Sequence, residues 1–407
     1  MERVKHSEHP LVSVVIPAYN GEKHIRDAIE SVLCQSYDYL EILVCDDAST
    51  DRTGKIVKGL SDDRIRYLFF EENLGLAGNL NRGIRRAQGE FICWFNQDDL
   101  FLRNKVEKQL DAFKGNPNLG AVFCTKIDID ENGNEVEKAK NPSNITFRTR
   151  EEAVFYLISG GCFLCAPTVM IKTEVFEDVG YFDERLKIAL DLDMWFRILK
   201  RYPIVNLETP LYRFRHHRNL TADQANSRIA EHETRDILQR AIEGFEIEEI
   251  IPVLKRDFQT ELREVCERSM ACLYLAQELW QTGLTPFANH VSIGLAEKAI
   301  KINNNLIPAY EFAAETNREI GNSERSEHYS SLAQRKSTEF LGLHEKLRAF
   351  FQSKDVREAY HLLKHMCTYD PTNPDVLRKA ADLQSGFGCL EQPENLSPFA
   401  DSLSDGR

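Results

Sequence analysis

Two adjacent carboxylates, Asp98 and Asp99, follow a run of apolar residues that extends from Phe91 to Phe95. A short apolar run of this kind predicts a buried strand of a parallel sheet, and open α/β sheets bind ligands beyond the carboxyl ends of such strands. Two hard oxygen donors there suit a divalent cation, Mn²⁺ or Mg²⁺, that also contacts a phosphorylated substrate. A helix N-cap is the alternative, but it accounts for one Asp and leaves the pair unexplained. The sequence therefore favours a metal site at Asp98 and Asp99.

Polar residues also follow two earlier apolar runs, at residues 11–16 and 40–45. Those after the first run are Pro17, Tyr19 and Asn20, and those after the second run are Asp46 and Asp47. A helical pattern over residues 22–35 separates the runs, and the alternation of strands and helices predicts βαβ units in a mostly parallel, doubly wound sheet. Because the carboxyl ends of parallel strands share one edge, we expect the three polar clusters to form the rim of a single site.

Asp191 stands in the first turn of a further predicted helix. The apolar stripe of that helix consists of Leu192, Trp195, Phe196 and Leu199. From the residue pattern alone, two interpretations of Asp191 are equally supported. It is either a functional carboxylate at the edge of the sheet or a negative charge that stabilises the N-terminus of the helix.

A locally basic segment follows at residues 213–218, where His216 and His217 are interspersed with Arg residues. In a chain this acidic, the segment indicates an anion-facing patch, although adjacent His in a solvated loop are usually inert. A lone C-x-x-C at residues 162–165 has no second Cys or His pair at zinc spacing, so we predict that Cys162 and Cys165 are buried structural cysteines.

The chain has 407 residues, of which 42% are apolar, and a formal net charge of −13. This length predicts two domains, and the negative charge argues against nucleic acid or an anionic membrane as the main partner. No apolar stretch approaches the ~18 residues that a membrane helix needs, and the first ten residues lack the apolar core of a signal peptide. We therefore predict a cytoplasmic protein with reduced thiols and no transmembrane segment.

Strand patterns end near residue 225, and amphipathic helical patterns continue beyond it. We predict domains at residues 1–222 and 223–384, with a disordered tail at residues 385–407. Helix-turn-helix segments recur at an offset of about 33 residues, which is typical of degenerate tetratricopeptide repeats. An ordinary helical bundle is the alternative. Stacked repeats would offer a surface for a protein partner or for a second copy of the chain.

Several segments together resemble glycosyltransferase family 2. Its donor half is matched by residues 11–20, 42–51, 73–75 and 89–99, and its acceptor half by residues 177–184, 191–197 and 212–221. The resemblance implies a GT-A nucleotide-sugar-binding fold. It also implies inverting transfer of a sugar from a nucleoside diphosphate to the hydroxyl of an acceptor, which could be a glycan, a lipid-linked molecule or a protein.

The resemblance also assigns roles to residues. It places Pro17, Tyr19 and Asn20 under the nucleotide base. It implies that Asp47, with Asp46 beside it, recognises the base or the ribose. It makes Asp98 and Asp99 the metal-binding motif. It makes Asp191 the catalytic base and puts His217 near the diphosphate and the metal; His217 is preferred to His216 because of its spacing from Arg215. Two positions depart from the family pattern. Asn96 stands where the family often has Asp, which leaves the contact of Asn96 with ribose or metal open. Leu190 stands where the family often has Glu.

Two other classes of function stay open from the sequence. A non-catalytic carbohydrate- or nucleotide-binding protein would act through its helical region. A nucleotidyltransferase would carry a loop rich in Gly and in Arg or Lys after its first strand, where this chain has residues 17–21.

Overall fold

The computed structural model describes residues 9–136, 147, 149–160, 162–216, 224–250, 261–282, 288–353, 356–376 and 378–379. The chain divides into two compact units, Met1–Ile237 and Leu238–Arg407. The boundary between them falls within a helix that follows the domain boundary predicted at residues 222 and 223. The predicted tail at residues 385–407 lies outside the described residues.

The first unit is built on a mixed sheet of eight strands. They are β1 (Val12–Ala18), β2 (Leu40–Asp47), β3 (Ile65–Phe70), β4 (Phe91–Trp94), β5 (Leu100–Phe101), β6 (Ala121–Ile129), β7 (Met170–Lys172) and β8 (Ile204–Arg215). Their order in the sheet is β3-β2-β1-β4-β7-β6-β8-β5. The first four strands pair in parallel and β8 runs parallel to β6, whereas β7 is antiparallel to β4 and β6, and β5 is antiparallel to β8. The predicted α/β class with a mostly parallel sheet is confirmed.

The helices of this unit connect the strands in the expected alternation. They are α1 (Ile25–Leu33), α2 (Thr53–Lys58), α3 (Gly75–Ile84), α4 (Lys105–Gly115), α5 (Arg150–Gly160), α6 (Thr173–Val179), α7 (Leu190–Leu199) and α8 (Gln224–Gly244), the last of which extends into the second unit. Val14, Ile16, Ile29 and Val44 are fully buried and form the core between the sheet and α1. This packing follows from the near-continuous apolar runs of the central strands.

Two strands differ from what their local sequence pattern indicates. The apolar run at residues 166–172 forms a strand only at β7, because Ala166–Thr168, which contains Pro167, is a turn of 3-10 helix. β8 begins at Ile204, and its pairing with β6 shifts register opposite Pro210. The exposed residues around that irregularity interrupt the alternating pattern of the strand.

Pro17 lies within β1, not after it as the sequence suggested. Val15 O accepts a hydrogen bond from Phe95 N at 3.0 Å, so residue 15 directs its backbone groups toward β4. Residue 17 faces the same side, because strand residues alternate with period two. β4 ends at Trp94, so no hydrogen bond from β4 is expected at residue 17. Pro17, which has no N–H, is therefore tolerated at this position of the strand.

The described residues of the second unit form helices joined by short turns. After α8 come α9 (Ile247–Ile250), α10 (Glu261–Thr282), α11 (Ala288–Ile302), α12 (Ile307–Glu319), α13 (Ser323–Ser353) and α14 (Val356–Met366). From α10 onward, each helix packs on the next one in the chain. The helical character is confirmed, and the tetratricopeptide-like repeat stays a prediction. Within the described residues, none of the helices combines the length and the apolarity that crossing a lipid bilayer requires.

Candidate active site

The loops that follow β1 and β4 are joined by the side chain of Gln97. Its Oε1 accepts a hydrogen bond from Tyr19 N at 3.0 Å, and its Nε2 donates one to Tyr19 O at 3.0 Å. The Tyr19 ring itself is 49% exposed. Gln97 therefore fixes the backbone of Tyr19 and leaves the ring accessible to a ligand such as a nucleotide base.

The loops that follow β1 and β2 are joined in a similar way. Asn20, at φ 48°, donates from its N to Ser49 Oγ at 2.9 Å and accepts at Oδ1 from Thr50 N at 2.9 Å. Gly21 N donates to Thr53 Oγ1 at 2.8 Å. These reciprocal bonds bring together the first two polar clusters predicted from the sequence.

Asp46 is buried, and both of its carboxylate oxygens accept hydrogen bonds from the protein. Oδ1 accepts from Ser49 N at 2.8 Å, and Oδ2 accepts from the hydroxyl of Tyr67 at 2.6 Å. These bonds hold the turn after β2, in which Ala48 has a φ of 65°. The geometry thus gives Asp46 a role in shaping this turn, and its contact with a nucleotide stays a prediction.

Asp47 is also buried, and it anchors the beginning of α3. Its oxygens accept hydrogen bonds from Leu74 N at 3.1 Å, from Gly75 N at 3.0 Å and from Arg82 Nη1 at 3.2 Å. Gly75 has a φ of +71°, a conformation that L side chains rarely adopt. Burial raises the pKa of Asp47 even though these bonds favour the charged form. Asp47 lies at the predicted edge of the sheet, and its recognition of base or ribose stays a prediction.

Asp99 is 1% exposed and accepts three hydrogen bonds. Its Oδ1 accepts from Arg215 N at 2.6 Å, and its Oδ2 accepts from the Tyr212 hydroxyl at 2.7 Å and from Asn96 Nδ2 at 3.1 Å. Burial, followed by the negative charge of Asp98, raises the pKa of Asp99 to about 7. Asn96, which replaces an Asp of the family pattern, thus donates to the acidic motif instead of adding a third charge.

Asp98 is half-buried and lies on the loop between β4 and β5. Its carbonyl oxygen accepts from Arg215 Nε at 2.7 Å. The same guanidinium donates through Nη1 to Glu131 O at 2.9 Å and to Asp130 O at 3.2 Å, in the hairpin turn after β6. Arg215 is only 4% exposed, and these bonds hold its guanidinium against the backbone of Asp98.

The carboxylates of Asp98 and Asp99 have the oxygen donors that Mg²⁺ and Mn²⁺ prefer. Asp99 Oδ1 accepts one of the three bonds described above and Oδ2 the other two, so Oδ1 is the better placed of the two to bind a cation. In the part of the chain that the structure describes, no three His, Cys, Asp or Glu side chains form a group that could hold a metal ion. The third predicted ligand, His217, lies outside the described residues. The metal site therefore stays a prediction that the chemistry of the two carboxylates fits.

His216, the alternative to His217, is engaged with β6. Its Nε2 contacts Oδ1 of the buried Asp128 at 2.5 Å, and Lys126 pairs with the same carboxylate. Burial acts to raise the pKa of Asp128, but hydrogen bonds from Lys126 and His216 outweigh it and lower that pKa.

Asp191 occupies the first turn of α7, as predicted. Its Oδ1 accepts a hydrogen bond from Leu192 N at 2.8 Å, and its Oδ2 accepts one from the thiol of Cys162 at 3.6 Å. Burial raises the pKa of Asp191, while the bonds from Leu192 and Cys162 lower it in part. A half-buried carboxylate with a raised pKa has the properties of a general base.

Cys162 and Cys165 connect Asp191 with the acidic motif. Burial raises the pKa of the Cys165 thiol, and the negative charges of both Asp99 and Asp191 add to that rise, so Cys165 lies within electrostatic reach of both carboxylates. The prediction that both cysteines are buried is wrong: Cys162 is exposed, and Cys165 is half-buried. Phe163 and Leu164 between them are buried, so the apolar composition of the segment predicts the burial of these two residues but not the exposure of Cys162.

The loop before α7 is attached to α3 through Asn81. Its Nδ2 donates to Phe182 O at 2.9 Å and to Glu184 Oε1 at 2.9 Å, and its Oδ1 accepts from Phe182 N at 3.0 Å. Phe182 also packs edge-on against Trp94 at a ring distance of 5.4 Å. The predicted acceptor half is thereby fastened to the predicted donor half.

Sequence reasoning missed several contributors to this site. The sequence shows Gln97 only as a polar residue before the acidic pair, and Arg215 only as one charge of the basic segment at residues 213–218. His24, just before α1, was not considered. Burial, followed by the charge of Arg215, lowers its pKa, while Asp98 acts in the opposite direction, so His24 lies within electrostatic reach of the acidic motif. Each of these contacts joins residues far apart in the chain, and no local pattern reports them.

Comparison with known proteins identifies relatives of the first unit. A model of glycosyl transferase family 2 matches residues 13–180. An uncharacterized glycosyltransferase of Rickettsia conorii is 35% identical over 229 residues, which cover 55% of this chain and 36% of that protein. TuaG of Bacillus subtilis, a glycosyltransferase whose name assigns it provisionally to teichuronic acid biosynthesis, is 32% identical over 195 residues, 47% of this chain and 73% of that protein. The match thus spans about a third of the length of the Rickettsia relative.

The fold also has a counterpart among solved structures. Residues 1–349 of TarS from S. aureus superimpose with a TM-score of 0.51 at 18% identity, covering 80% of this chain and 91% of that chain. At this level of identity the likeness concerns the fold alone, and it agrees with the predicted GT-A architecture followed by helices.

Proposed function

Because the chain belongs to glycosyltransferase family 2, we propose that it transfers a sugar from a nucleoside-diphosphate sugar to an acceptor hydroxyl with inversion. Asp191 is the general base in this proposal, and Asp98 and Asp99 hold a divalent cation. The observation that carries the proposal is the attachment of the loop before Asp191 to Asn81 of α3 and, through Phe182, to Trp94 of β4, the strand that leads into the acidic pair. The two functions that transfer requires, binding of the leaving group and removal of the acceptor proton, would thus fall within one site.

The donor lies along the edge formed by β1, β2 and β4. The exposed ring of Tyr19 offers a face for the nucleotide base, and Gln97 prevents the backbone beneath it from moving. The fixed charge of Arg215 stands beside the acidic pair and favours an anionic diphosphate there. When bound, Mn²⁺ or Mg²⁺ acts as a Lewis acid toward the departing nucleoside diphosphate.

The acceptor hydroxyl approaches Asp191 from the side of Cys162. Oδ1 of Asp191 accepts the short bond from Leu192 N, whereas Oδ2 accepts the longer bond from the Cys162 thiol, so in this proposal Oδ2 takes the proton of the acceptor hydroxyl as the hydroxyl oxygen attacks the anomeric carbon. General-base help of this kind accelerates a reaction by about 10²–10⁴-fold.

Inversion is favoured over retention by the state of the neighbouring carboxylate. A retaining route would need a second carboxylate as nucleophile. Asp193, the nearest in sequence, is 7% exposed, and its Oδ2 accepts from Arg197 Nε at 2.8 Å. A carboxylate held in this buried ion pair is a poor nucleophile.

The identity of donor and acceptor is a further part of the proposal. By family resemblance, uridine and thymidine diphosphate sugars are the first donors to test. The relation to TuaG favours a cell-surface polysaccharide as the destination of the sugar. The helical second unit is proposed to bind a protein partner or a second copy of the chain.

The test is incubation of the full chain with labelled sugar nucleotides and candidate acceptors, with Mn²⁺ or Mg²⁺ and with excess chelator. We expect transfer that the chelator suppresses and that Asp98→Ala abolishes. Asp111→Ala, at an exposed position of α4, is the matched control and should retain full activity. Unchanged activity in excess chelator would overturn the metal assignment. Release of pyrophosphate would indicate a nucleotidyltransferase, and binding without turnover would indicate a non-catalytic protein.

A further inference from the structure

Glu233, on α8, accepts hydrogen bonds from three consecutive backbone amides. Its Oε1 accepts from Lys187 N at 2.8 Å, and its Oε2 accepts from Ile188 N and Ala189 N, both at 2.9 Å. All four residues belong to the first unit. A carboxylate that accepts from three adjacent amides fixes both the position and the orientation of the segment that carries them.

Residues 187–189 have no regular secondary structure of their own. The residues between Phe182 and α7 form turns and bends without a regular element. Ala189 is the N-cap residue of α7, and no side-chain hydrogen bond caps the helix there. Backbone amides at a helix N-terminus need acceptors, and a negative charge is favourable at that position. Glu233 supplies both from another helix.

We propose that Glu233 is a positioning residue for Asp191, and this inference rests on the proposed function. Asp191 follows Ala189 by two residues, in the first turn of α7. By holding the amides of Lys187, Ile188 and Ala189, Glu233 determines where α7 begins and therefore where the Asp191 carboxylate lies relative to the acceptor. Glu233 does not touch the reacting atoms and acts only through this loop.

The placement of Glu233 separates its effect from donor binding. The donor edge is built by Gln97, Asp47 and Arg215 on other elements, and none of their hydrogen bonds described above involves α8. Glu233 also lies beyond residues 13–180, which the family model matches. A helix outside the matched region thus fixes the loop that presents the proposed base.

The test compares Glu233→Ala and Glu233→Gln with Glu231→Ala in the full chain. Glu231 lies on the same helix and is exposed, so its replacement controls for a lost charge on α8. Glu233→Gln keeps one acceptor oxygen and adds an N–H₂ group that the amides repel, with little change in volume, so it serves if the Ala variant does not fold. We would measure kcat for transfer, KM and Kd for the donor, and hydrogen exchange of the amides at residues 187–189.

We expect kcat to fall by about 10²-fold in both Glu233 variants, because misplacement of a catalytic group by about 1 Å has an effect of that size. Donor Kd should stay within about twofold of the wild-type value, and Glu233→Asp should recover part of kcat. The amides at 187–189 should exchange faster in the Glu233 variants and at the wild-type rate in Glu231→Ala.

Two results would overturn the inference. Exchange at residues 187–189 that is unchanged in both Glu233 variants would show that the carboxylate does not hold the loop. A fall in kcat matched by an equal loss of donor affinity would show a general structural role. Absence of transfer by the wild-type protein with every donor would instead reject the proposed function, and the exchange measurement would still report whether Glu233 holds the loop.

Discussion

Replacement of Asp191 by Asn tests the proposed chemistry most directly. In the wild-type protein, Oδ1 of Asp191 accepts from Leu192 N at 2.8 Å, and Oδ2 is the oxygen that faces Cys162. Asn preserves the shape and can keep the bond to Leu192 through its Oδ1, but it places an N–H₂ group where Oδ2 stood. That group cannot accept a proton, so the variant loses general-base catalysis without losing the N-terminal turn of α7.

The expected loss follows from the usual value of general-base catalysis. We expect kcat to fall by about 10²–10⁴-fold, which corresponds to about 3–5 kcal/mol at 1.36 kcal/mol per tenfold. Donor affinity in the presence of Mn²⁺ should change by less than about twofold, because the donor edge is built by residues other than Asp191. Single-turnover transfer of a labelled sugar, with donor Kd measured by calorimetry, separates the two quantities.

The same substitution has a predicted effect on stability. Burial raises the pKa of Asp191 in the folded protein, so the folded state favours the protonated carboxyl. As the pH rises from the ordinary pKa of Asp toward the raised pKa of Asp191, the wild-type protein therefore loses free energy of unfolding. The Asn variant does not titrate, so its free energy of unfolding does not change for this reason. Asp191→Asn should therefore be more stable than the wild type at pH 8, and the difference should shrink at low pH. Urea unfolding at both pH values measures this.

Two results would refute this reasoning. Wild-type turnover by Asp191→Asn would show that another group takes the acceptor proton. A loss of donor affinity as large as the loss of kcat would show that Asp191 contributes to the shape of the donor site. Asp178→Asn, at a residue that pairs with Arg201 on the surface of the same unit, is a suitable control and should leave kcat unchanged.

Three further changes have defined outcomes. Cys162→Ala should move the acidic limb of the pH profile for kcat to higher pH, because the hydrogen bond from the thiol lowers the pKa of Asp191, and Cys34→Ala should leave the profile unchanged. Tyr67→Phe removes the donor to Asp46 Oδ2 and should lower the free energy of unfolding by about 1–3 kcal/mol in urea titration, whereas Tyr39→Phe, at an exposed ring, should have no effect. Arg215→Lys keeps the charge but loses the guanidinium that joins the backbone of Asp98 to the hairpin turn, so the donor Kd measured with Mn²⁺ should rise by about tenfold or more. Arg213→Lys is the control and should leave this Kd unchanged, because its partner Glu135 is exposed.

Local patterns in the sequence were sufficient for the order of elements and for the residues at the edge of the sheet. The apolar runs that became β1, β2 and β4 are buried on both faces, and a parallel sheet places their carboxyl ends together. The acidic pair at Asp98 and Asp99 and the helix at Asp191 could be identified because each lies next to a strong periodic signal. These features depend on neighbours in the chain, which a sequence displays.

Tertiary structure alone decided which side chains are exposed and what each one touches. Asp46 and Asp47 look like equal ligand-binding groups in the sequence, yet Tyr67 and the beginning of α3 occupy their oxygens. The contacts of Gln97 with Tyr19 and of Glu233 with the loop before α7 join distant segments. Such contacts form only when the chain has folded, because they depend on the separation of residues in space and not on their spacing in the sequence.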